Sequence, residues 1–201
     1  MKRAIIDLNL EPRVYTVDNF ISGAECRHVI AAAVGAGMEP AVVVGLSGGQ
    51  TSKSRTNEVS WLNHDFNAAT NRVSKRIAGL VGLPLAHAEK FQVIHYKEGA
   101  EYRPHFDAFL PSTPQGKRVM ENGGQRLISV LGYLNTPALG GGTLFPKLDL
   151  TIPAELGKIL VFHNCYAGAY ERHADSLHGG NPVEAGEKWA FNLWFRAEKR
   201  S

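Results

Sequence analysis

A histidine and an aspartate stand one residue apart at His105 and Asp107, within the stretch Tyr-Arg-Pro-His-Phe-Asp (102–107). In an extended strand both side chains point to the same face, about 7 Å apart along the chain. An imidazole and a carboxylate placed in this way can occupy two adjacent positions around one metal ion. A third ligand must come from elsewhere, and His178 in Ser-Leu-His-Gly-Gly (176–180) is the candidate. Two histidines and one carboxylate leave open positions for substrates and are typical of non-haem Fe(II) centres.

A candidate anion-binding cation follows the third metal ligand. Lys188 lies ten residues after His178 in Gly-Glu-Lys-Trp (186–189). If a strand starts here, Lys188, Trp194 and Arg196 share one face. A hairpin between His178 and this strand would place the ammonium beside the open metal positions, where a dicarboxylate could be anchored. Because a buried ammonium is costly unless it is paired, the pattern favours an anionic ligand.

The order of these motifs resembles the 2-oxoglutarate- and Fe(II)-dependent prolyl 4-hydroxylase family in its compact, catalytic-domain-only form. The resemblance runs from about Arg55 to Arg196. Its motifs are F-Q-V-I-H-Y (91–96), Y-R-P-H-F-D (102–107), G-G-Q-R (123–126), G-G-G-T-L-F-P (140–146), S-L-H-G-G-N-P-V (176–183) and G-E-K-W (186–189).

The resemblance implies a co-substrate site as well as a metal site. Lys188 would bind the distal carboxylate of 2-oxoglutarate, and Tyr96 and Thr143 match positions that hydrogen-bond the same group. The other carboxylate and the keto oxygen would chelate iron and leave one position for O2. The implied cofactors are therefore Fe(II), 2-oxoglutarate as co-substrate and O2, with ascorbate as a reductant.

The resemblance also implies a site for a substrate proline. Tyr102, Trp194 and Arg126 match positions that line this site in the family. An aromatic pair suits a pyrrolidine ring because it offers a large apolar surface without demanding hydrogen bonds, and Arg126 could bind a peptide carbonyl. Arg55 and Trp61 match a first-half motif, and we assign them a weaker substrate-side role.

Arg196 departs from the family pattern. Family members often carry a histidine eight residues after the anchoring lysine, at the position of Arg196. Strand alternation points Arg196 inward, near the substrate end, so we assign it to the substrate site. This replacement leaves the preference for a particular peptide open.

Length and composition indicate one domain. A chain of 201 residues with 44% hydrophobic content can bury a sizeable core. We expect a single domain over residues 1–201, with N-terminal helical support over about 1–85 and a core over about 86–197. The fold class expected is α+β and mainly β: a double-stranded β-helix, or jelly roll, with the helices packed on one sheet.

The elements follow from periodicity and from helix-ending signals. Ser22 and Glu25 form a capping box before a helix that ends near Gly35 or Gly37. A second helix is predicted from apolar positions at helical spacing, namely Phe66, Ala69, Val73, Ile77 and Leu80. Strands are predicted within 4–17, and at 41–46, 91–96, 102–107, 125–134, 143–145, 158–163, 175–181 and 188–196. Polar loops are predicted at 47–56 and 108–124, and the second follows the metal motif as a lid would.

Charge and cysteine content limit partners and location. The formal charge of +3 is modest and forms no basic stripe, so no nucleic-acid partner is expected. No stretch approaches the ~20 apolar residues of a membrane span, and no membrane partner is expected. The two cysteines, Cys26 and Cys165, are too few for a disulfide framework, so reduced thiols in a cytoplasmic protein are predicted.

The function implied by the resemblance is hydroxylation of prolyl residues, at C4, in a peptide or protein. The co-substrate 2-oxoglutarate would be released as succinate and CO2. One alternative is the same oxidation of a free amino acid or small metabolite. Nucleobase demethylation is disfavoured because no basic surface is present. A cupin-like metal-binding or sensing module would not require Lys188, Tyr96 and Thr143 together. The oligomeric state and the identity of the peptide substrate stay open.

Overall fold

The structure, a computed structural model, describes residues 4–45, 48–51 and 57–200. Its helices are α1 (Gly23–Ala36), α2 (Ala68–Val81) and α3 (Pro114–Met120), with short 3-10 helices at Leu85–His87 and Ala174–Ser176. The strands in chain order are β1 (Ile5–Leu10), β2 (Arg13–Val17), β3 (Glu39–Pro40), β4 (Val42–Gly45), β5 (Gly48–Thr51), β6 (Glu58–Leu62), β7 (Phe91–Tyr96), β8 (Tyr102–His105), β9 (Arg126–Tyr133), β10 (Leu139–Gly140), β11 (Thr143–Phe145), β12 (Leu150–Ile152), β13 (Ile159–His163), β14 (His178–Gly180), β15 (Val183–Ala185) and β16 (Lys188–Arg196).

Two antiparallel sheets form the body of the fold. The large sheet has eight strands in the order β1-β2-β13-β9-β16-β7-β6-β3, and the smaller has four in the order β12-β11-β14-β8. Buried residues of both sheets meet in one apolar cluster that includes Tyr133, Phe145, Ile152 and Leu160. The predicted double-stranded β-helix is therefore confirmed, because strands distant in sequence alternate between two facing sheets.

The helices cover the other face of the large sheet, as predicted. A second apolar cluster joins Val29 of α1 and Ile77 of α2 to Val93, Val130 and Phe191 of the sheet. None of the described helices combines the length and apolar character that a membrane span requires. The first 85 residues also supply β1, β2, β3 and β6 to the large sheet, so this part is more than a helical support.

The two helices are tied together at the start of α1. The capping box is present, with the Ser22 backbone N–H donating to Glu25 Oε2 at 2.9 Å. The same carboxylate accepts from Arg76 of α2 at 3.0 Å. Burial alone would raise the pKa of Glu25, but the Arg76 and Ser22 hydrogen bonds lower it to about 2. Glu25 thus caps α1 and fixes its position against α2.

Several predicted boundaries were wrong. Helix α2 starts after its N-cap Asn67, so Phe66, half exposed, is not a helical position. Gly48–Thr51, predicted as loop, is a strand paired with β4, and residues 52–56 lie outside the described residues. The predicted loop 108–124 contains α3, which Thr113 caps and Pro114 begins. Strand β8 ends at His105, so Asp107 follows the strand instead of belonging to it.

Gly132 of β9 packs closely against Phe191 of β16 inside the large sheet. A methyl group at this position would overlap the ring of Phe191 and approach Ile21 Cδ1 to 3.0 Å. We predict that Gly132→Ala lowers the free energy of unfolding by about 1–3 kcal/mol, because overpacked cores must distort. Chemical denaturation measures this change.

Gly79→Ala is the matched control in α2, where an added methyl group meets nothing within 4 Å. Because glycine is unfavourable inside a helix, this variant should gain about 0.5–1 kcal/mol. Equal stability of Gly132→Ala and the unchanged protein would contradict the packing described here.

Candidate metal centre and co-substrate pocket

Antiparallel pairing of β8 with β14 sets two histidines side by side. His178 lies directly opposite His105 in this register, and the two ring centroids are 4.4 Å apart. Asp107 follows the end of β8 and turns its carboxylate toward both rings. One ligand atom from each of these three residues lies within 4.8 Å of the others. The fold therefore brings together the three metal ligands predicted from the sequence.

Backbone carbonyls orient both imidazoles. His105 Nδ1 lies 3.0 Å from the carbonyl oxygen of Arg103, and His178 Nδ1 lies 2.9 Å from that of Ser176. A carbonyl oxygen can only accept, so each Nδ1 carries the proton and each Nε2 presents its lone pair. The Nε2 atoms lie 3.8 Å and 3.6 Å from the Asp107 carboxylate oxygens. This donor set, two neutral imidazoles and a carboxylate, fits a divalent iron ion.

The Asp107 carboxylate is held in its charged form. It is 6% exposed and accepts a 2.6 Å hydrogen bond from Ser129 Oγ, which in turn accepts from the Asn164 side chain at 2.9 Å. Burial alone would raise the pKa of Asp107, but in the metal-free protein the imidazolium forms of His178 and His105, the nearby Arg126 and the Ser129 hydrogen bond lower it to about 2. The carboxylate is thus ready to neutralise part of a metal's charge.

A small pocket runs from the two histidines to Lys188, which is 3% exposed. Lys188 lies opposite Tyr96 across the β7–β16 pair, and its Nζ is 5.2 Å from the Tyr96 ring and 5.5 Å from the Tyr133 ring. Burial, without a counter-charge from the described residues, lowers the pKa of Lys188 to about 8. Such a cation fits the distal carboxylate of a dicarboxylate whose other end reaches the metal.

Thr143 also lines this pocket, and it is hydrogen-bonded to Tyr133, a residue that was not predicted from the sequence. Its hydroxyl accepts a 2.8 Å hydrogen bond from the buried Tyr133 hydroxyl. The Thr143 proton is therefore free to donate to a bound carboxylate. Strand alternation could have found Tyr133, because it shares the inward face of β9 with Ser129 and Leu131.

The predicted substrate side is an aromatic and guanidinium stack. The Arg126 guanidinium carbon lies 3.7 Å from the Trp194 ring centroid, and one of its nitrogens lies 4.0 Å from the Asp107 carboxylate. Arg126 also donates two hydrogen bonds, of 2.6 Å and 2.9 Å, to buried Glu89. Glu89 was not predicted from the sequence. Tyr102 stacks on His105 at 3.7 Å and lines the co-substrate pocket.

Arg196 points inward, as predicted, but its contacts are with the protein. Its Nε donates to Glu89 at 2.7 Å, and another nitrogen donates to the carbonyls of Val119 at 3.3 Å and Gly124 at 2.5 Å. These contacts give Arg196 a structural role, since they tie the 108–124 segment to β16. Its contact with substrate stays a prediction.

Two weaker assignments also stay predictions. Trp61 is half exposed, and its ring centroid lies 6.3 Å from that of Trp194, which places it at the rim of the stack. Arg55 lies outside the described residues.

Comparisons with known proteins agree with this geometry. The profile of the 2OG-Fe(II) oxygenase superfamily matches residues 91–196. The chain is 32% identical over 188 residues to a putative prolyl 4-hydroxylase of Acanthamoeba polyphaga mimivirus, covering 93% of this chain and 75% of that protein. It is also 32% identical over 212 residues to prolyl 4-hydroxylase 5 of Arabidopsis thaliana, covering 96% and 71%. The crystal structure of a viral collagen prolyl hydroxylase from Paramecium bursaria Chlorella virus-1, in its 2-oxoglutarate complex, superposes with a TM-score of 0.73 at 26% identity over 92% of this chain and 96% of that one.

Fold and site together define an iron-dependent oxygenase. The chain belongs to the 2OG-Fe(II) oxygenase superfamily. It is a 2-oxoglutarate-dependent dioxygenase, so the predicted Fe(II) and 2-oxoglutarate are confirmed. When bound, they supply the oxidising chemistry, and 2-oxoglutarate leaves as succinate and CO2. Among this chain's own residues, His105, Asp107 and His178 would hold the metal, and the buried Lys188 would pair with the distal carboxylate of the co-substrate.

Asp107 provides the first test of the metal site. We predict that Asp107→Ala loses bound iron and 2-oxoglutarate turnover, because it removes one ligand and the site's negative charge. Metal analysis after gel filtration, together with succinate formation, measures both effects. Asp65→Ala, which removes an exposed carboxylate, is the control and should match the unchanged protein. Normal iron content in Asp107→Ala would remove Asp107 from the ligand set.

Lys188 tests the co-substrate assignment separately from the metal. We predict that Lys188→Ala weakens 2-oxoglutarate binding roughly ten- to 150-fold, the range expected for a lost charge-assisted hydrogen bond. Iron content should stay unchanged. Calorimetric titration without O2 gives the dissociation constant, and Lys75→Ala, at an exposed position of α2, is the control. Unchanged affinity in Lys188→Ala would defeat the assignment.

The lowered pKa of Lys188 also predicts a pH dependence. In the protein without co-substrate the ammonium loses its proton as pH rises through about 8. An anion binds the charged form, so 2-oxoglutarate affinity should be fully present below pH 8 and fall above it, by up to about tenfold per pH unit. Titrations without O2 between pH 6.5 and pH 9.5 measure this decline. Lys188→Ala should flatten it, and an unflattened decline would assign the titration to another group.

Proposed function

We propose that this enzyme hydroxylates prolyl residues, at C4, within a peptide or protein. Two kinds of observation support the proposal. Relatives at 32% identity are named prolyl 4-hydroxylases, and aromatic side chains, Tyr102 and Trp194, lie beside the metal centre. Tyr102 stacks on the ligand His105, and Trp194 packs against Arg126, whose guanidinium group lies 4.0 Å from Asp107, so both aromatic residues border the metal centre and suit a pyrrolidine ring, which needs no hydrogen bonds.

The single observation that favours a peptide over a free amino acid is the engagement of both candidate cations. Arg126 and Arg196 each form an ion pair with the one carboxylate of Glu89, at 2.6 Å and 2.7 Å. A free amino acid brings an α-carboxylate and an ammonium, and each must find a partner if it is buried. Both guanidinium groups are already engaged by the protein, Arg126 by Glu89 and Arg196 by Glu89 and two backbone carbonyls, and Asp107 is committed to the metal. The amides that flank a peptidyl proline carry no charge and avoid this demand.

The length of chain around the site also suits an extended peptide. The 108–124 segment begins directly after Asp107, and Arg196 holds its far end through the carbonyls of Val119 and Gly124. Proline-rich chains already favour the extended polyproline II form, which lowers the ordering cost of binding. Such an anchored segment can border an extended substrate beside the metal centre.

The test compares free L-proline with short proline-rich peptides at matched proline concentration. We predict greater succinate formation, coupled to substrate, with the peptides, because only they avoid burying two unpaired charges. Turnover without any substrate is the baseline. Greater coupled turnover with free proline would reject peptidyl hydroxylation and favour the small-molecule alternative.

We also propose a cytoplasmic location and ascorbate as the reductant that keeps the iron ferrous. Cys26 and Cys165 are both free and buried, and burial raises the pKa of each thiol to about 11, which suits a reducing compartment. Fractionation of the source cells tests the location. Repeated turnover with and without ascorbate tests the reductant.

A further inference from the structure

A surface groove passes on both sides of Tyr170, whose side chain lines two adjoining cavities. One, of about 440 Å³, is also lined by Leu110, Pro111 and Arg172, and the other, of about 370 Å³, by Tyr166. The side chains of Tyr166, Tyr170 and Leu110 are 39%, 56% and 42% exposed. We refer to these five residues as the Tyr170 groove. It is largely apolar, and two tyrosine rings supply its broad faces.

One wall of the Tyr170 groove is a short hairpin with a fixed backbone. Cys165 and Arg172 form an antiparallel bridge, and the Tyr166 amide donates to the Glu171 carbonyl at 3.0 Å. The Tyr170 carbonyl accepts a 3.2 Å hydrogen bond from the buried Gln125 side chain. Both tyrosines are therefore presented from an ordered scaffold.

The other wall is held as firmly. The Leu110 carbonyl accepts from the backbone amide of Thr113 at 3.1 Å and from its hydroxyl at 2.9 Å, and Thr113 caps α3. Gln125 binds both the amide and the carbonyl of Phe109, at 2.8 Å and 2.9 Å. One buried amide side chain thus fastens both walls, and a preformed groove loses little freedom when it binds a ligand.

The Tyr170 groove borders the segment that carries two of the metal ligands. The Arg172 guanidinium carbon lies 3.7 Å from the ring centroid of Phe106, the residue between the ligands His105 and Asp107. Leu110 stands three residues after Asp107, so the two Cα atoms are at most about 11 Å apart. Polyproline II advances ~3.1 Å per residue, so a chain with its target proline at the metal reaches the groove within about three to five residues.

We propose that the Tyr170 groove is a second binding site for the substrate chain and holds its proline-rich residues about three to five positions from the hydroxylated proline. The inference rests on the proposed function and extends it, because it makes the flanking sequence part of recognition. Aromatic-lined grooves bind polyproline II segments through ring packing, with little ordering cost. The groove's tyrosine rings, its apolar wall and its distance from Asp107 match that ligand.

The test uses two peptides with the same target proline. The short peptide has about five residues. The long peptide is made in two versions, one with about ten proline-rich residues added before the target proline and one with them added after it. Tyr170→Ala should raise KM for one long peptide about two- to tenfold and leave kcat and the short peptide unchanged, as expected for a lost ring contact. Tyr170→Phe keeps the ring and should behave as the unchanged enzyme. Leu156→Ala, at a 48% exposed position, is the control.

A binding measurement separates this inference from the proposed function. Fluorescence anisotropy of the labelled long peptide, with the iron- and 2-oxoglutarate-loaded enzyme and no O2, does not depend on turnover. Binding weakened by Tyr170→Ala, without hydroxylation of any proline peptide, would keep the groove and reject the proposed function. Turnover with equal KM for long and short peptides would keep the function and overturn the groove. A change of oligomeric state in Tyr170→Ala, without a change in peptide affinity, would make the groove a subunit contact and also overturn it.

Discussion

The buried carboxylate of Asp107 is the group on which the site depends. An ionised carboxylate with 6% exposure is stable only if positive charges and hydrogen-bond donors surround it. Arg126 and Ser129 of β9 supply a positive charge and a hydrogen bond, and a metal ion held together with His105 of β8 and His178 of β14 would supply further positive charge, so the site draws on both facing sheets. The jelly-roll topology is what brings these strands to one point. The metal centre therefore forms only when strands of both sheets are in place around Asp107.

The charged residues around Asp107 divide the site into a co-substrate end and a substrate end, which suit ligands of different charge. At the co-substrate end, Lys188 is a buried cation that the described residues leave without a counter-charge, so that end calls for an anion. At the substrate end, Arg126 and Arg196 are both already paired with Glu89 and Asp107 is committed to the metal, so these groups offer no ready partners for the two charges of a free amino acid. The unpaired Lys188 favours a dicarboxylate at the co-substrate end. The engaged Arg126 and Arg196 favour the uncharged ring of a peptidyl proline at the substrate end.

The sequence was sufficient to predict those site residues whose positions depend on short motifs and strand alternation. The metal ligands and the inward face of β16 follow from short motifs and from strand alternation, although Asp107 itself lies beyond the end of β8. Long-range partners were missed. Glu89 has no periodic signal and meets Arg196 from 107 positions away. Helix α3 was missed because Pro114 and Gly116 are typical of loops, yet Gly116 is the residue that allows close packing on the Leu110 carbonyl.

The most direct test of the account is product analysis after turnover with iron, 2-oxoglutarate, O2 and a proline-rich peptide. Mass spectrometry and amino-acid analysis should find one added oxygen atom per succinate formed, located on a peptidyl proline as 4-hydroxyproline. Succinate formed without oxygen on the peptide, or oxygen transferred instead to free proline supplied in competition, would contradict the central claim that this site hydroxylates proline within a chain.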